Sequence, residues 1–153
     1  GMPLCGGSRT HKKLTKERRY SMKRINIKCP YCGSQALLRP ASLVHKHAAP
    51  GEEVYVCARF PACDAYVSAH RDSHLPMGTL ADRPLRQKRR QAHIALNRLW
   101  EQGLMTRKEA YRWLQVQLSL PESEAHIGRF SAYRCEQVIS LCGRFTSAGW
   151  RAA

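Results

Sequence analysis

The sequence predicts an α+β fold, in which a small antiparallel unit comes first and a three-helix domain follows. Residues 25–74 contain short β-branched and aromatic segments separated by Pro and Gly, as in small sheets. Residues 82–145 have apolar side chains at helical spacing. Two cysteine pairs, in CPYC and CARFPAC, enclose most of the first region. The remaining segments are a basic arm over residues 1–24, a connector over 75–81 and a tail over 146–153.

The first 24 residues predict a mobile basic arm. They carry eight Lys and Arg and a single acid, Glu17, with few and irregular apolar residues. Arg18 and Arg19 are the candidate nucleic-acid contacts in this arm. The alternative interpretation is a solvated tail that only aids solubility, because many charged termini do no more than that.

The predicted strands are short and lie between turn residues. An apolar run from Ala36 to Leu38 gives the first strand, and residues 41–47 (ASLVHKH) give a second. Pro50 and Gly51 form a turn. EVYVCARF and DAYVSAH follow, and their β-branched and aromatic residues are typical of strands. Together these segments predict a small antiparallel sheet.

Capping residues mark where each helix begins. Asp82 is a candidate N-cap for the first helix, with a proline in the first turn. Thr106 and Glu109 have the spacing of a capping box and open the second helix. Ser131 is the candidate cap of the third helix, and Gly143 is predicted to end it, which leaves the tail irregular.

Four cysteines have the spacing C-x2-C-x24-C-x5-C and predict one metal site: Cys29, Cys32, Cys57 and Cys63. Zn²⁺ binds four thiolates as a tetrahedron, and a pair separated by two residues wraps one side of the ion. A site whose four positions are all filled by protein has no place for water or substrate, so the predicted zinc is structural. The alternatives are buried free thiols or redox-active pairs, but a redox pair needs a βαβ context that the flanking sequence lacks.

The charge balance predicts a polyanionic partner. The chain of 153 residues has 26 Lys and Arg against 11 acids, a formal charge of +15. Such an excess of positive charge most often indicates binding to nucleic acid, and less often binding to an anionic membrane surface or an acidic protein. No apolar run is long enough to span a membrane and no secretory h-region is present, so we expect a soluble cytoplasmic protein without a membrane partner. In that reducing compartment, an odd count of seven cysteines favours metal ligation over disulfides.

CPYCG followed by CARFPAC resembles the zinc ribbons at the C-termini of bacterial type I DNA topoisomerases. Phe60 and Pro61 occupy the aromatic and proline positions of the second pair in those ribbons. The resemblance covers about 40 residues, from Cys29 to about Tyr66. It implies a structural zinc and a face that binds single-stranded DNA. Nothing in the chain resembles the topoisomerase catalytic domain.

A longer stretch, from residue 29 to about residue 142, is similar to a family of uncharacterised zinc-finger-containing proteins of bacteria and their phages or mobile elements. The segments that carry this similarity are GTLADRPLRQKRRQAHIALNRLW, TRKEAYRWL and HIGRF. The resemblance implies that the predicted zinc ribbon, residues 25–74, and the helices form one functional unit.

The first predicted helix carries or adjoins six cations, Arg83, Arg86, Lys88, Arg89, Arg90 and Arg98. No acid lies between the first and the last of them in the sequence, which favours contacts with phosphates over a merely solvated face. In the ribbon, Tyr31 and Phe60 are candidates for stacking on unpaired bases, with Arg59 beside them. The alternative is that these rings form the ribbon's own small core, so we expect both to be only partly exposed.

The histidines raise the alternative of a catalytic metal site. His70 and His74 flank Asp72, but this pattern is not a known nuclease signature, and Arg71 would repel a cation. We therefore expect no enzymatic activity, with a metal-dependent nuclease as the weaker alternative. Of the two histidines in the helical region, His126 has no assigned role and His93 is predicted to be a core histidine. Cys135 and Cys142 lie two helical turns apart and are predicted to pack in the core.

These observations predict a nucleic-acid-binding protein with one structural zinc ion. DNA is favoured over RNA, and the preference for single strands comes from the topoisomerase resemblance. The rival interpretation is an interaction module, an adaptor or inhibitor that binds an acidic host protein.

Overall fold

The structure, a computed structural model, describes residues 25–152 and the side chains of residues 25–147. The predicted arm, with Arg18 and Arg19, lies outside the described residues. Within them the chain is α+β, as predicted. Three strands, β1 (Ala36–Pro40), β2 (Glu53–Cys57) and β3 (Tyr66–Ser68), precede three helices, α1 (Arg83–Glu101), α2 (Arg107–Leu118) and α3 (Ala132–Ala152).

The sheet is antiparallel in the order β1-β2-β3, so β2 is the central strand. Tyr55 of β2 lies opposite Leu38 of β1 and Val67 of β3. Four consecutive residues of β2, from Val54 to Cys57, are buried because both faces of the strand are covered. Tyr55 and Cys57 pack with Leu80 on one face, and Val54 and Val56 pack near Phe60 on the other.

The predicted strand over residues 41–47 is wrong. The chain forms a single 3₁₀ turn at Ala41–Leu43 instead. The N–H of Ala41 donates to the Glu52 carbonyl beside the last pair of β1 and β2, and the N–H groups of Val44 and His45 both donate to the Ala41 carbonyl. Those two bonds close a turn, so the chain does not continue as a strand here.

Residues 75–81, predicted as a connector, are bonded into the ribbon. Ala81 exchanges both backbone hydrogen bonds with Tyr66, and a second bridge joins Pro76 to Ala69. Leu80 and Ala81 are almost fully buried. The ribbon therefore extends to Ala81, and α1 starts immediately after its N-cap, Asp82.

The three predicted helix starts are confirmed. The carboxylate of Asp82 accepts the Leu85 N–H at 3.1 Å. Thr106 and Glu109 form the reciprocal capping box. The Ser131 hydroxyl oxygen accepts from the Arg134 N–H at 3.2 Å. Each cap satisfies a backbone donor that has no partner inside its own helix.

The predicted end of α3 at Gly143 is wrong, since the helix continues to Ala152. A glycine that ends a helix usually has a positive φ. Gly33, Gly51 and Gly103 have a positive φ in this structure, but Gly143 does not. Phe145 contacts Trp113 of α2, with ring centroids 5.2 Å apart. The apolar face of the helix therefore extends beyond the glycine and holds the next turn against α2.

The helical core contains Leu96 and Leu99 of α1, Leu114 of α2 and Val138 of α3. Cys135 and Cys142 are buried among them, which confirms their prediction as core residues. None of the helices in the described part of the chain combines the length and apolarity needed to cross a membrane.

Two glycines form one of the contacts between the ribbon and the helical domain. The Thr79 N–H donates to the Gly128 carbonyl at 3.0 Å, which brings Gly78 against the Gly128 backbone. A Cβ at position 78 would overlap the carbonyl group of Gly128. Only glycine allows this approach of two backbones.

Substitution Gly78→Ala should lower the free energy of unfolding by about 1–3 kcal/mol, because the added methyl group forces the ribbon away from the loop at Gly128. Urea unfolding followed by circular dichroism measures this. Gly143→Ala is the matched control, since its Cβ meets no atom within 4 Å and lies in a helix, where it should stabilise by about 0.5–1 kcal/mol. Equal stability of Gly78→Ala and the wild type would show that the two glycines do not restrict the contact.

Candidate metal centre and its basic surroundings

Two loops bring the four cysteines together. In the first, the Gly33 N–H donates to the Cys29 carbonyl at 2.8 Å, and Gly33 takes a φ of +76° that suits glycine. In the second, the Phe60 N–H donates to the carbonyl of Cys57, the last residue of β2, at 2.9 Å. Cys63 follows after Pro61, whose peptide bond with Phe60 is cis. Both loops are tight turns at one end of the sheet, so their sulfurs converge.

The four sulfur atoms all lie within 4.8 Å of one another. The Sγ atoms of Cys29 and Cys63 are 3.6 Å apart, and those of Cys32 and Cys57 are 3.4 Å apart. A tetrahedron with zinc–sulfur bonds of about 2.3 Å has edges of about 3.8 Å, close to these separations. A disulfide needs about 2.05 Å, and all four are free thiols.

The thiols differ in their readiness to ionise. Burial raises the pKa of Cys57 to about 12, whereas hydrogen bonds with Ser34 lower the pKa of Cys32 to about 6. Four thiolates at these distances repel one another, so a cation between them favours ionisation of the buried Cys57. The Arg59 N–H also points at the Cys57 sulfur, at 3.5 Å, and supports it from outside the cluster. The four residues are thus placed to hold one structural zinc ion, which supplies cross-linking and no open coordination position.

The aromatic residues beside the cysteines are partly exposed, as predicted. Tyr31 is 47% exposed, and its phenol oxygen accepts the Asp82 N–H at 3.1 Å, which connects the first cysteine loop to the start of α1. Phe60 is half-buried beside Val54 and Val56. Arg59 is exposed in the second cysteine loop, next to Phe60 in the sequence. Their contact with bases stays a prediction.

The predicted phosphate contact of Arg89 is wrong, because its guanidinium is bonded inside the protein. Arg89 is 8% exposed. Its Nε donates to the Phe130 carbonyl at 3.0 Å, and its two terminal nitrogens donate to the carbonyl and hydroxyl oxygens of Thr79 at 2.6 Å each. The residue joins the ribbon's last segment to the loop before α3. A sequence signal existed, since Arg89 precedes the buried Ala92 and Leu96 by three and seven residues on the same helix face.

Arg86 also joins the two parts of the chain. One terminal nitrogen donates to the carbonyls of Asp64 and Ala81, each at 2.7 Å, and the other lies 3.2 Å from the Asp64 carboxylate. The guanidinium also lies over the Tyr66 ring, 4.0 Å from its centroid. These acceptors take three of the five Arg86 N–H donors and leave the side chain 23% exposed, so its main contacts lie within the protein. Asp64, the partner that sequence analysis missed, lies 22 residues away in the sequence and comes close because Ala81, just before α1, pairs with Tyr66 of β3.

The remaining cations of α1 divide into one paired and three free side chains. Lys88 forms an ion pair with Glu136 of α3 at 3.1 Å. Arg83, Arg90 and Arg98 are exposed, and no acid in the described part of the chain lies within ion-pair distance of them. The six predicted phosphate contacts therefore reduce to an exposed group of three, which we call the basic face.

The predicted histidine alternatives do not form a cluster. The Nδ1 of His74 lies 2.6 Å from the Glu53 carboxylate, while His70 and Asp72 are exposed. Among the described residues, the four cysteines are the one group of His, Cys, Asp or Glu close enough to hold an ion. His126 is exposed, and so is His93, which makes the core prediction for His93 wrong.

Substitution Cys57→Ser should abolish stoichiometric zinc binding and lower the melting temperature, because ligation and folding of the ribbon are coupled. Metal analysis and thermal unfolding measure the two effects, and a strong chelator should reproduce both on the wild type. Cys142→Ser is the matched control, since it is buried in the helical core and should keep one zinc per chain. Full zinc content with an unchanged melting curve in Cys57→Ser would refute the four-ligand site.

The neighbouring pair Arg89 and Arg90 tests the structural role of Arg89. Arg89→Met should lower the free energy of unfolding by about 2–3 kcal/mol, because it leaves acceptors at Phe130 and Thr79 without their charged donor. Arg90→Met removes the same charge from an exposed position and should change stability by less than about 0.5 kcal/mol. Urea unfolding of both variants gives the comparison, and equal stabilities would contradict the assignment.

Comparison with known families agrees with this geometry. The profile of the DUF3268 family, a zinc-finger-containing domain, matches residues 25–145. This range contains all four cysteines, the sheet, α1 and α2, and reaches into α3. No curated protein and no solved structure matches the chain. Since the match covers most of its length, the chain belongs to the DUF3268 family of zinc-finger-containing domains.

Proposed function

We propose that this zinc-binding protein is a cytoplasmic nucleic-acid-binding protein of bacterial, phage or mobile-element type, which binds single-stranded DNA without cleaving it. The observation that carries the proposal is the basic face of α1. It remains exposed after the structural arginines and the paired lysine have been assigned.

The basic face has the geometry of a phosphate-binding surface. Arg83, Arg90 and Arg98 are separated by seven and eight residues, which correspond to about 10.5 and 12 Å along a helix axis. At 100° per residue, all three project within about 80° of one another, opposite the buried stripe. Ile94 lies between them and is 47% exposed, which gives the face an apolar contact as well. The helix has a single acid, Glu101, and that residue lies at its end.

The preference for single strands draws on the exposed ring of Tyr31. Its hydrogen bond to Asp82 holds it next to the start of α1, close to one end of the basic face. Cations beside an exposed aromatic ring suit an unpaired strand, because the phosphates bind the cations while a base stacks on the ring. Arg59 and Phe60 lie on the other cysteine loop. The resemblance of CPYCG and CARFPAC to topoisomerase ribbons supports DNA over RNA.

The overall charge supports the same partner. Residues 25–153 carry 18 Lys and Arg against 10 acids, and residues 1–24, which include Arg18 and Arg19, add eight cations and one acid. Association with a polyanion should therefore be strong at low salt. An acidic protein is the competing partner. If a protein partner stays bound in excess oligonucleotide, the adaptor function is favoured.

Replacing the basic face with Arg83→Gln, Arg90→Gln and Arg98→Gln should reduce the slope of log affinity against log salt by about 2, since each phosphate contact on a single strand contributes about 0.7. Fluorescence anisotropy with labelled single-stranded and duplex DNA over a salt series measures the slope. The control triple variant changes Lys108, Arg112 and Arg144 to Gln, which are also exposed but lie on α2 and α3.

The expected result is a reduced slope for the α1 variant and a smaller change for the control. Equal slopes for the wild type and the α1 variant would show that the basic face does not contact phosphate. Incubation of the same DNA with Mg²⁺ or Mn²⁺ tests the proposed lack of cleavage, and cut products that depend on His74 would contradict it.

A further inference from the structure

A pocket of about 490 Å³ lies where the first cysteine loop meets the N-terminal ends of α1 and α3. Its volume falls within the range of about 300–1,000 Å³ in which small planar ligands bind. The apolar part of the wall consists of Tyr31, Pro84, Leu85 and Ala132. The polar part comes from Asp82, Lys88 and Ser131 and from Gln87 and Gln91, which are one turn apart on α1.

The ring of Tyr31 is held in place before any ligand arrives. Its oxygen accepts the Asp82 N–H, so the ring does not need to be ordered on binding. The ring nevertheless remains 47% exposed. An exposed but fixed aromatic ring favours a flat ligand that stacks on it.

The two glutamines supply hydrogen-bonding groups without charge. Neither side chain forms a hydrogen bond within the described residues, and both are exposed. Each amide offers a donor and an acceptor side by side, which matches the edge of a nucleobase. The one cation of the lining, Lys88, is paired with Glu136, and the Asp82 carboxylate caps α1. The lining therefore suits a neutral ring better than a phosphate.

The pocket adjoins the basic face on the same helix. At 100° per residue, Gln87 projects within about 60° of Arg83 and Arg90, and Gln91 lies about 40° further round. A strand whose phosphates follow the basic face thus passes the pocket opening.

We propose that this pocket takes one unpaired base of the bound strand, stacked on Tyr31 and read at its edge by Gln87 and Gln91. This inference rests on the proposed function and adds to it a preference among bases. Glutamine pairs best with adenine, whose edge presents a donor and an acceptor together. An adenine-containing strand is therefore the favoured ligand.

The test uses octamers of deoxyadenylate, deoxythymidylate and an abasic backbone, which have equal phosphate counts but differ in their bases. The full-length zinc-loaded protein should bind the deoxyadenylate octamer about tenfold more tightly than the abasic one. Gln87→Ala with Gln91→Ala should remove the preference for adenine over thymine and leave affinity for the abasic octamer unchanged. Gln117→Ala, an exposed glutamine on α2, is the matched control and should keep the preference. Tyr31→Leu should weaken binding of the deoxyadenylate and deoxythymidylate octamers and leave binding of the abasic octamer unchanged.

Three other results would overturn the inference in distinguishable ways. If the double glutamine variant keeps the adenine preference, the pocket does not read a base and the proposed function stands. If the abasic octamer binds as tightly as the others, no base stacks on Tyr31, so the pocket assignment and the proposed preference for single strands both fail while phosphate binding stands. If none of the octamers binds at low salt, both the pocket assignment and the proposed function are wrong.

Discussion

Four thiol sulfurs within 4.8 Å of one another need a cation between them before all can ionise, and the rest of the ribbon depends on that constraint. The sheet has strands of only five, five and three residues, and a surface of that size buries too little apolar area to fold alone. Zinc ligation joins the loop before β1 to the end of β2 and so supplies the missing cross-link. The strands can therefore be this short because zinc ligation supplies the stability that their packing lacks.

The ribbon in turn fixes α1. Its last segment pairs with β3 and ends at the helix cap, so no free linker separates the two parts. Arg86 and Arg89 donate from α1 to carbonyls of the ribbon and of the loop before α3. Gly78 and Gly128 pack backbone against backbone at the same boundary. Because these contacts involve buried or half-buried groups, they orient the helix far more strictly than exposed ion pairs would.

Sequence reasoning succeeded where the signal was local. Each close cysteine pair, the capping residues at Asp82 and Thr106 and the apolar spacing within each helix depend on residues near in sequence and could be predicted. The strand predicted after Pro40 failed because β-propensity says little about where the chain turns. The arginines of α1 were misjudged for another reason. Their acceptors, Asp64 and Thr79, are supplied by the ribbon, and a pattern along one helix does not reveal partners from another part of the fold.

Because the arginines of α1 have different partners, the positive charge of this helix does not serve a single purpose. Six cations on one helix initially suggest a single electrostatic surface, yet they divide into interior donors, one ion pair and an exposed group of three. The interior donors keep the helix at a fixed angle to the zinc loop, so that Tyr31 stays beside the basic face. A surface whose parts are already in place loses less entropy on binding than one that must be assembled. Loss of zinc should therefore weaken the proposed binding of nucleic acid even though the metal touches none of the proposed contacts, because it releases the loop that positions them.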